Sequence, residues 1–458
     1  MHIERVTTGA DSAWRRFKEG NIACFAQRSW RVAWPMTLIM FFDFLIGLTD
    51  VFVAGRIGRD IQAAYGFVIQ MYMVSIIVAN ALTVGTVSVV SRLFTSGRQR
   101  ELNDAVFSSV AASGAAGAIV AVLGIVFSPD LIRPLNIPSQ LKPFCIPLIR
   151  IYSAGLLFEY LLIACNGVLR SCDMINKSLR TMAVVCCLNV GLNLLLVFES
   201  PLGYRGIAFA TATAAFVGCL MNVRYAKSIV KGARSFSRSV IRMIAKIGWP
   251  MGALQVLWQL GAMALFLVLS DLAVNRIEVI AAFTAGLRIE SAIFLPAFAF
   301  NMANAVIVGN LLGEKKQEEA YRSGLITALI GVSVVVVLVI IVVSNARWIT
   351  SLLASNPIVA RESVRYIYIA MISEPFMAWG IILGGGMSGA GDTRSVMVRV
   401  AASIWFVRLP LAYLFVVHFN LGPAAVWWSM NTSQFVQSFL LYRRYSRKQW
   451  LSGIGGLS

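Results

Sequence analysis

Long apolar runs, each broken by a short polar or basic stretch, recur along the whole of this 458-residue chain. A helix needs about 20 apolar residues to cross a bilayer. Twelve stretches reach that length: 30–54, 61–93, 102–127, 141–168, 178–198, 205–226, 247–271, 279–311, 321–344, 360–388, 396–419 and 423–445. Spans 2 and 8 are long enough to tilt or to run past the membrane. The connections are too short for a soluble domain. The pattern predicts an all-α polytopic membrane protein of twelve transmembrane helices.

Composition agrees. Hydrophobic residues make up 58% of the chain, charged residues 13%, and the mean hydropathy is +0.75. No soluble domain of this size buries so much apolar surface. The net charge of +19 would suggest nucleic-acid binding in a soluble protein. Here the basic residues alternate between loops instead. With a cytoplasmic N-terminus, 28 of the 40 Lys+Arg fall inside, 10 outside, and Arg288 and Arg408 within spans. That asymmetry predicts a multi-pass protein of the bacterial inner membrane with both termini cytoplasmic. Arg224, Lys227, Lys231, Arg234, Arg238, Arg242 and Lys246 form a basic linker suited to anionic lipid headgroups. Nucleic acid is not an expected partner. The seven cysteines form no CxxC pairs, and His2 and His418 are the only histidines, so reduced, buried packing cysteines are expected. Trp14, Arg15, Arg16 and Lys18 precede no cleavage site and read as a cytoplasmic tail.

The chain repeats itself. Trp34-Pro35-Met36 returns as Trp249-Pro250-Met251, 215 residues later, and the same offset joins Ala105 to Ala320, Arg150 to Arg365 and Glu159 to Glu374. Several matches at one offset predict two homologous lobes of six helices. The division is a tail at 1–29, an N-terminal lobe at 30–226, the linker at 227–246, a C-terminal lobe at 247–445 and a cytoplasmic tail at 446–458. An even number of spans per lobe makes the repeats parallel, an architecture of alternating-access transporters with the substrate path between lobes. Prolines at 35, 250, 296 and 375 mark kinks, and Pro35 is a possible hinge in span 1.

Within span 1, Asp43 and Asp50 are seven residues apart. Seven residues is close to two helical turns, so the two carboxylates share a face about 10 Å apart along the axis. A carboxylate in hydrocarbon costs at least about 2.5–3.5 kcal/mol and marks function by default.

Ala33-Trp34-Pro35 and Leu48-Thr49-Asp50-Val51-Phe52-Val53-Ala54-Gly55-Arg56-Ile57-Gly58 resemble the opening of the multidrug and toxic compound extrusion (MATE) family. Leu287-Arg288-Ile289-Glu290-Ser291, Pro296-Ala297-Phe298 and Val308-Gly309-Asn310-Leu311-Leu312-Gly313 are similar to its eighth span. Gly389-Ala390-Gly391-Asp392-Thr393-Arg394 is similar to its loop after span 10. The resemblance covers about residues 30–445. It implies a twelve-helix antiporter that exchanges cationic and amphipathic compounds for Na⁺ or H⁺. In one bacterial and archaeal branch the coupling site lies in the N-terminal lobe. Carried over, its residues are Asp50, Asn189, Asn193 and Thr211. Asn193 stands where that branch often has aspartate, and Asp43 occupies a position where a neutral polar residue is expected, so the lobe is expected to have kept two carboxylates by moving one. Position 265, opposite Asp50 in the repeat, is leucine, which points coupling to the N-terminal lobe.

Oxygens from Asp50, Asn189, Asn193 and Thr211 suit Na⁺, and a desolvated carboxylate equally suits proton exchange. No other cofactor is expected. Glu374 and Glu290 are secondary candidates; the repeat relation of Glu374 to Glu159 suggests a shared structural role, and Glu290 is expected to cap or pair near the outer surface. Arg408 is expected to pair with an acid or reach toward the interface. The partners are small-molecule substrates and membrane lipids, and the protein is expected to act as a monomer.

Other functions fit less well. No GxxxxGK[ST] motif is present for ATP. A flippase for lipid-linked sugars, or an exporter of a specific secondary metabolite, is the alternative, but a diphosphate would call for a cationic cavity. An intramembrane enzyme needs HExxH, paired aspartates in GxGD form, or Ser with His; Gly389-Ala390-Gly391-Asp392 spells GxGD but in a loop and without a paired aspartate, and a channel needs symmetric polar rings.

Overall fold

The structure is a computed structural model that describes residues 22–133, 138–272, 276–353 and 356–452. The expected N-terminal tail lies outside the described residues up to position 21, and the last part of the C-terminal tail from 453. Among the described residues there is no strand.

The elements are α1 (Ile22–Ile57), α2 (Arg59–Ser75), α3 (Ile77–Thr95), α4 (Gln99–Val126), α5 (Lys142–Ser171), α6 (Ile175–Phe198) and α7 (Arg205–Lys227) in the first half. The second half holds α8 (Arg238–Ser270), α9 (Arg276–Gly313), α10 (Gln317–Ser344), α11 (Pro357–Ala370), α12 (Glu374–Gly389), α13 (Thr393–Ser403) and α14 (Pro423–Ser446). Counting α2 with α3, and α13 with its extension to His418, ten helices are long and apolar enough to span a membrane. The pair α11–α12, bent by 54°, makes an eleventh. The expected twelfth is α14. Its Ser429, Asn431, Ser433, Gln434, Gln437 and Ser438 are buried against neighbouring helices rather than set in lipid, so apolarity alone does not reveal it.

Several details differ from the sequence pattern. Helix α1 starts at Ile22, so Pro35 sits in its interior rather than at its mouth. Span 10 breaks between Ala370 and Glu374, directly before Pro375, whose ring bars continuation of the preceding helix. Span 11 contains two π-helical turns, Ile404–Arg408 and Leu414–His418. The linker is not a loose tether. Asn103 donates to the Lys231 carbonyl (2.6 Å), Ser108 accepts from the Ser237 N–H (2.9 Å), and α8 is already helical from Arg238. Five cysteines are buried as expected, but Cys24 and Cys187 are exposed.

Helices α1, α2 and α4–α7 pack around α5 and α7, while α9–α12 and α14 pack around α9 and α12. The first helix of each half crosses to the other. The start of α1 meets α9 and α10 through Ser29–Thr327 (2.7 Å) and Trp30 against Phe300. The start of α8 lies on α3, where Gly85 faces the Ile244 carbonyl and Gly248 the Ala81 carbonyl. A Cβ at either glycine would overlap those atoms, so only glycine permits this approach. At the same end of the bundle Ser88 donates to the Gly389 carbonyl (3.0 Å), Arg92 to Ala390 (2.5 Å) and Thr95 to Asn310 (2.7 Å). These contacts form a seam between the halves at the end that carries the turns 96–98, 314–316 and 390–392.

Candidate functional site

In the half of α1 away from the seam, Asp50 is 2% exposed. Asn189 and Asn193, four apart on α6, project from one face and meet it, and Thr211 reaches it from α7. Asn193 Nδ2 donates to Asp50 Oδ1 (2.8 Å), and Thr211 Oγ1 donates to Oδ2 (3.0 Å). Asn189 Nδ2 donates in turn to Thr211 Oγ1 (3.1 Å), while its Oδ1 accepts from Asn193 (3.1 Å). The four residues carried over by resemblance therefore form one constellation.

Two members were not visible in the sequence. The hydroxyls of Tyr65 on α2 and Tyr152 on α5 both point at Asp50 Oδ2 at 3.5 Å. A buried tyrosine hydroxyl needs a partner, but nothing in spacing joins positions 65 and 152 to 50. Tyr72 packs against Tyr152 with ring centres 5.4 Å apart and planes tilted by 57°, and bounds a cavity of about 570 Å³ lined by Val68, Met71, Phe127, Ser153 and Leu156.

Every group that touches Asp50 is neutral. Among the described residues no Lys or Arg forms an ion pair with it. Hydrogen bonds to a charged group contribute about 1.5–3 kcal/mol each, and those at 3.5 Å much less. Two good bonds and two long ones fall short of the several kcal/mol needed to keep an anion out of water. The arrangement leaves the carboxylate with an unmet demand for positive charge. Asn193 Oδ1, buried beside it, accepts no hydrogen bond. These oxygens are of the kind a hard monovalent cation takes. No cluster of three or more His, Cys, Asp or Glu suited to a metal occurs among the described residues.

Asp43 does not join this constellation. It is exposed, and the charges acting around it are those of Arg170 and Glu159 on α5. Arg170 donates to the Asn166 carbonyl (3.1 Å) and contacts Met302 Sδ of α9 (3.5 Å), which places this group where the halves face each other. Tyr72 stands between, within reach of the charges of Asp50, Asp43 and Glu159.

In the second half, Glu290 is 2% exposed and lies well inside the 38-residue α9, so it caps no helix end; of the two expectations, cap or pair, it meets the second. Its Oε1 accepts from Tyr366 (2.5 Å). Glu374 is fully buried, and neither of its oxygens has a hydrogen-bond partner. A structural clamp would use those oxygens, so the shared structural role expected for Glu159 and Glu374 finds no support at Glu374. Arg408 is buried and donates through Nε to Ser433 (2.9 Å).

A helical bundle in two repeated halves, seamed at one end and holding an uncompensated carboxylate in one half, defines a secondary membrane transporter rather than an enzyme. The sequence model of the MatE family matches residues 35–195 and 250–414, one segment in each half. The chain belongs to the MatE (MATE) family of multidrug efflux transporters. It is 20% identical over 430 residues to the uncharacterized transporter YisQ of Bacillus subtilis, covering 92% of this chain and 94% of that one. To a probable multidrug resistance protein NorM of Thermotoga maritima it is 22% identical over 419 residues, 89% of each. A solved structure described as the outward-facing conformation of a multidrug resistance MATE family transporter superposes with a TM-score of 0.86 at 20% identity, covering 93% of this chain and 97% of that one. As a transporter it acts on small molecules from a multi-pass position in the membrane.

Proposed function

We propose that this protein is an antiporter that exports amphipathic, often cationic, small molecules in exchange for H⁺ or Na⁺, with Asp50 as the group on which the coupling ion loads. The observation that carries this reading is a buried carboxylate held by neutral donors alone. A salt-bridged aspartate would already be satisfied; this one gains most from a cation. Asn189, Asn193 and Thr211 position Asp50 and supply the remaining oxygens. In the present arrangement the Asn193 amide turns its nitrogen to Asp50; rotated, the same amide offers Oδ1 to Na⁺.

The polar groups facing the central cleft favour a cationic cargo. Asp43 and Glu159 outnumber Arg170, whereas a flippase for a diphosphate needs the reverse. The 570 Å³ cavity behind Tyr72 and Tyr152 adds an apolar, aromatic wall of drug-molecule size. The basic residues orient the seam end toward the cytoplasm, so the described conformation has its cytoplasmic side closed. A single chain contains both lobes and the site, which supports a monomer.

The test is dye efflux from inverted vesicles, driven separately by a Na⁺ and a proton gradient. Asp50→Asn is expected to abolish gradient-driven transport at unchanged expression, with Asp43→Asn impairing it less. Undiminished driven transport by Asp50→Asn removes the proposal.

A further inference from the structure

We infer that the C-terminal lobe holds a second ion site of a different kind: a carboxyl at Glu374 that takes up and releases one proton, balanced against the built-in cation Arg408. Four observations lead there. Arg408 lies 215 residues after Asn193, the offset that relates the two Trp-Pro-Met motifs. The repeat therefore sets a guanidinium where the N-terminal lobe has the amide that holds Asp50. At the position equivalent to Asp50 stands Leu265, 2% exposed. The acids of the C-terminal lobe come instead from Glu290 on α9 and Glu374 at the head of α12, and the charges of Glu290 and Arg408 both act on Glu374.

Charge then has to be counted. Two carboxylates and one guanidinium, all buried, leave one negative charge in excess. Glu290 has the Tyr366 hydroxyl as a donor. Glu374 has none, although both of its oxygens are sealed from solvent. A buried carboxylate with no donor and a shared counter-charge is the member that must be neutralised. A proton asks less of the site than Na⁺: it needs one carboxyl oxygen, whereas Na⁺ needs several oxygens held around it, and no hydrogen bond holds either Glu374 oxygen in place.

The surroundings supply no rival charge. Facing Glu374 are Glu290 from α9, Tyr366 from α11 and Arg408 from the π-helical turn, while α14 contributes only amides and hydroxyls to the lobe interior. Gln434 and Asn431 of α14 are engaged with Ser373 (2.5 and 2.7 Å). The charged residues of α3 and α13 are Arg92, Arg394 and Arg399; Arg92 reaches Ala390 and Arg399 acts with Asp392 at the other end of α12, Arg394 is in the first turn of α13 directly after them, and the charged residues of α10 lie in its first turns beside Lys448. Both flanking elements are bent or widened. Glu374 follows the 54° break of span 10, and Arg408 closes a π-helical turn before Pro410, features that often mark functional positions.

The proton passes between bulk water and one carboxyl oxygen of Glu374; no other bond changes. Infrared difference spectra between acidic and alkaline buffer read it directly, on full-length protein in lipid carrying Asp50→Asn, so that the readout depends neither on transport nor on the N-terminal site. A protonated-carboxyl band that moves on ¹³C-glutamate labelling is expected, and Glu374→Gln should remove it. Arg408→Gln should add a second glutamate band, since two carboxylates then lack any cation. If Glu374→Gln is not recovered folded, Glu374→Asp should transfer the band to the ¹³C-aspartate set. Replacing K⁺ by Na⁺ at constant ionic strength should leave the band in place. Glutamate bands unchanged by Glu374→Gln or Glu374→Asp, or a band that Na⁺ abolishes, overturn the inference.

Discussion

The seam between the halves offers a quantitative test of alternating access. Gly85 and Gly248 let α3 and α8 touch through their backbones, and a methyl at either would run into the Ile244 or Ala81 carbonyl. Those are backbone atoms, which cannot swing aside as the end of a side chain can. Overpacking of this kind costs about 1–3 kcal/mol per site. Helix propensity works the other way, since alanine is favoured over glycine by about 1 kcal/mol. That gain is present in every conformer in which α3 and α8 are helical, so it cancels from the comparison between conformers. The overlap does not cancel, because it exists only while the seam is closed. Gly85→Ala together with Gly248→Ala should then shift the equilibrium away from the closed seam by about 2–6 kcal/mol, at least tenfold.

Spin labels at Arg98 and Arg394, in a cysteine-depleted chain, measure the opening by pulsed electron resonance. The parent should show a short distance, and the double variant a new, longer population. Each single variant should show an intermediate fraction. If the double variant keeps the parental distribution at undiminished thermal stability, the seam does not separate the halves and the alternating-access reading of it is wrong.

Other expectations follow from bond lengths at the site. Thr211→Val removes a 3.0 Å donor to Asp50 and should weaken ion-driven efflux by about tenfold, since a hydrogen bond to a charged group is worth about 1.5–3 kcal/mol. Tyr152→Phe removes only a 3.5 Å contact, so the loss should stay within about threefold; a larger effect in the same vesicle assay would mean that Tyr152 closes on Asp50 during the cycle. Asn193→Asp places a second carboxylate 2.8 Å from the first, and two such groups cannot both be charged without a bound cation. Efflux by that variant should become steeper in pH, or gain Na⁺ dependence, relative to the parent; an unchanged profile counts against Asp50 as the loading point.

How much of this was readable beforehand depends on where the information sits. The repeat and the twelve spans are properties of spacing along the chain, and spacing is what a sequence states; the α6 pair was implied by the family resemblance. Asn189 and Asn193 had to share a face once α6 was a helix. The tyrosines around Asp50 had no such signal, because α2 and α5 bring them in from 15 and 102 residues away. Glu290 was expected near the outer surface although the span at 279–311 already set it eleven residues in; its partner Tyr366, 76 residues on, is likewise a tertiary contact that spacing does not state. Asp43 shared a face with Asp50 on paper, yet two turns along α1 carry it from the closed pocket into the cleft with Arg170 and Glu159.

The same duplication that gives the two halves one fold has left them with opposite solutions to one electrostatic problem. In the first half an amide, Asn193, holds a lone carboxylate, and on the function proposed above the missing positive charge arrives from solution. In the second half the repeat-related Arg408 is a positive charge that can never leave, and around it stand Glu290 of α9 and Glu374 of α12, the latter the repeat partner of Glu159. A tethered guanidinium cannot be exchanged for a cargo, so it cannot by itself drive export. It can make the state of its own lobe depend on a single proton at Glu374 rather than on the ion bound at Asp50. Coupling through Asp50 and response to pH through Glu374 would then be separable. Asp50→Asn should abolish driven efflux while its acid–alkaline infrared difference persists. Glu374→Gln should keep driven efflux but flatten its dependence on external pH. Loss of both properties in either single variant would show that the lobes share one titrating event and not two.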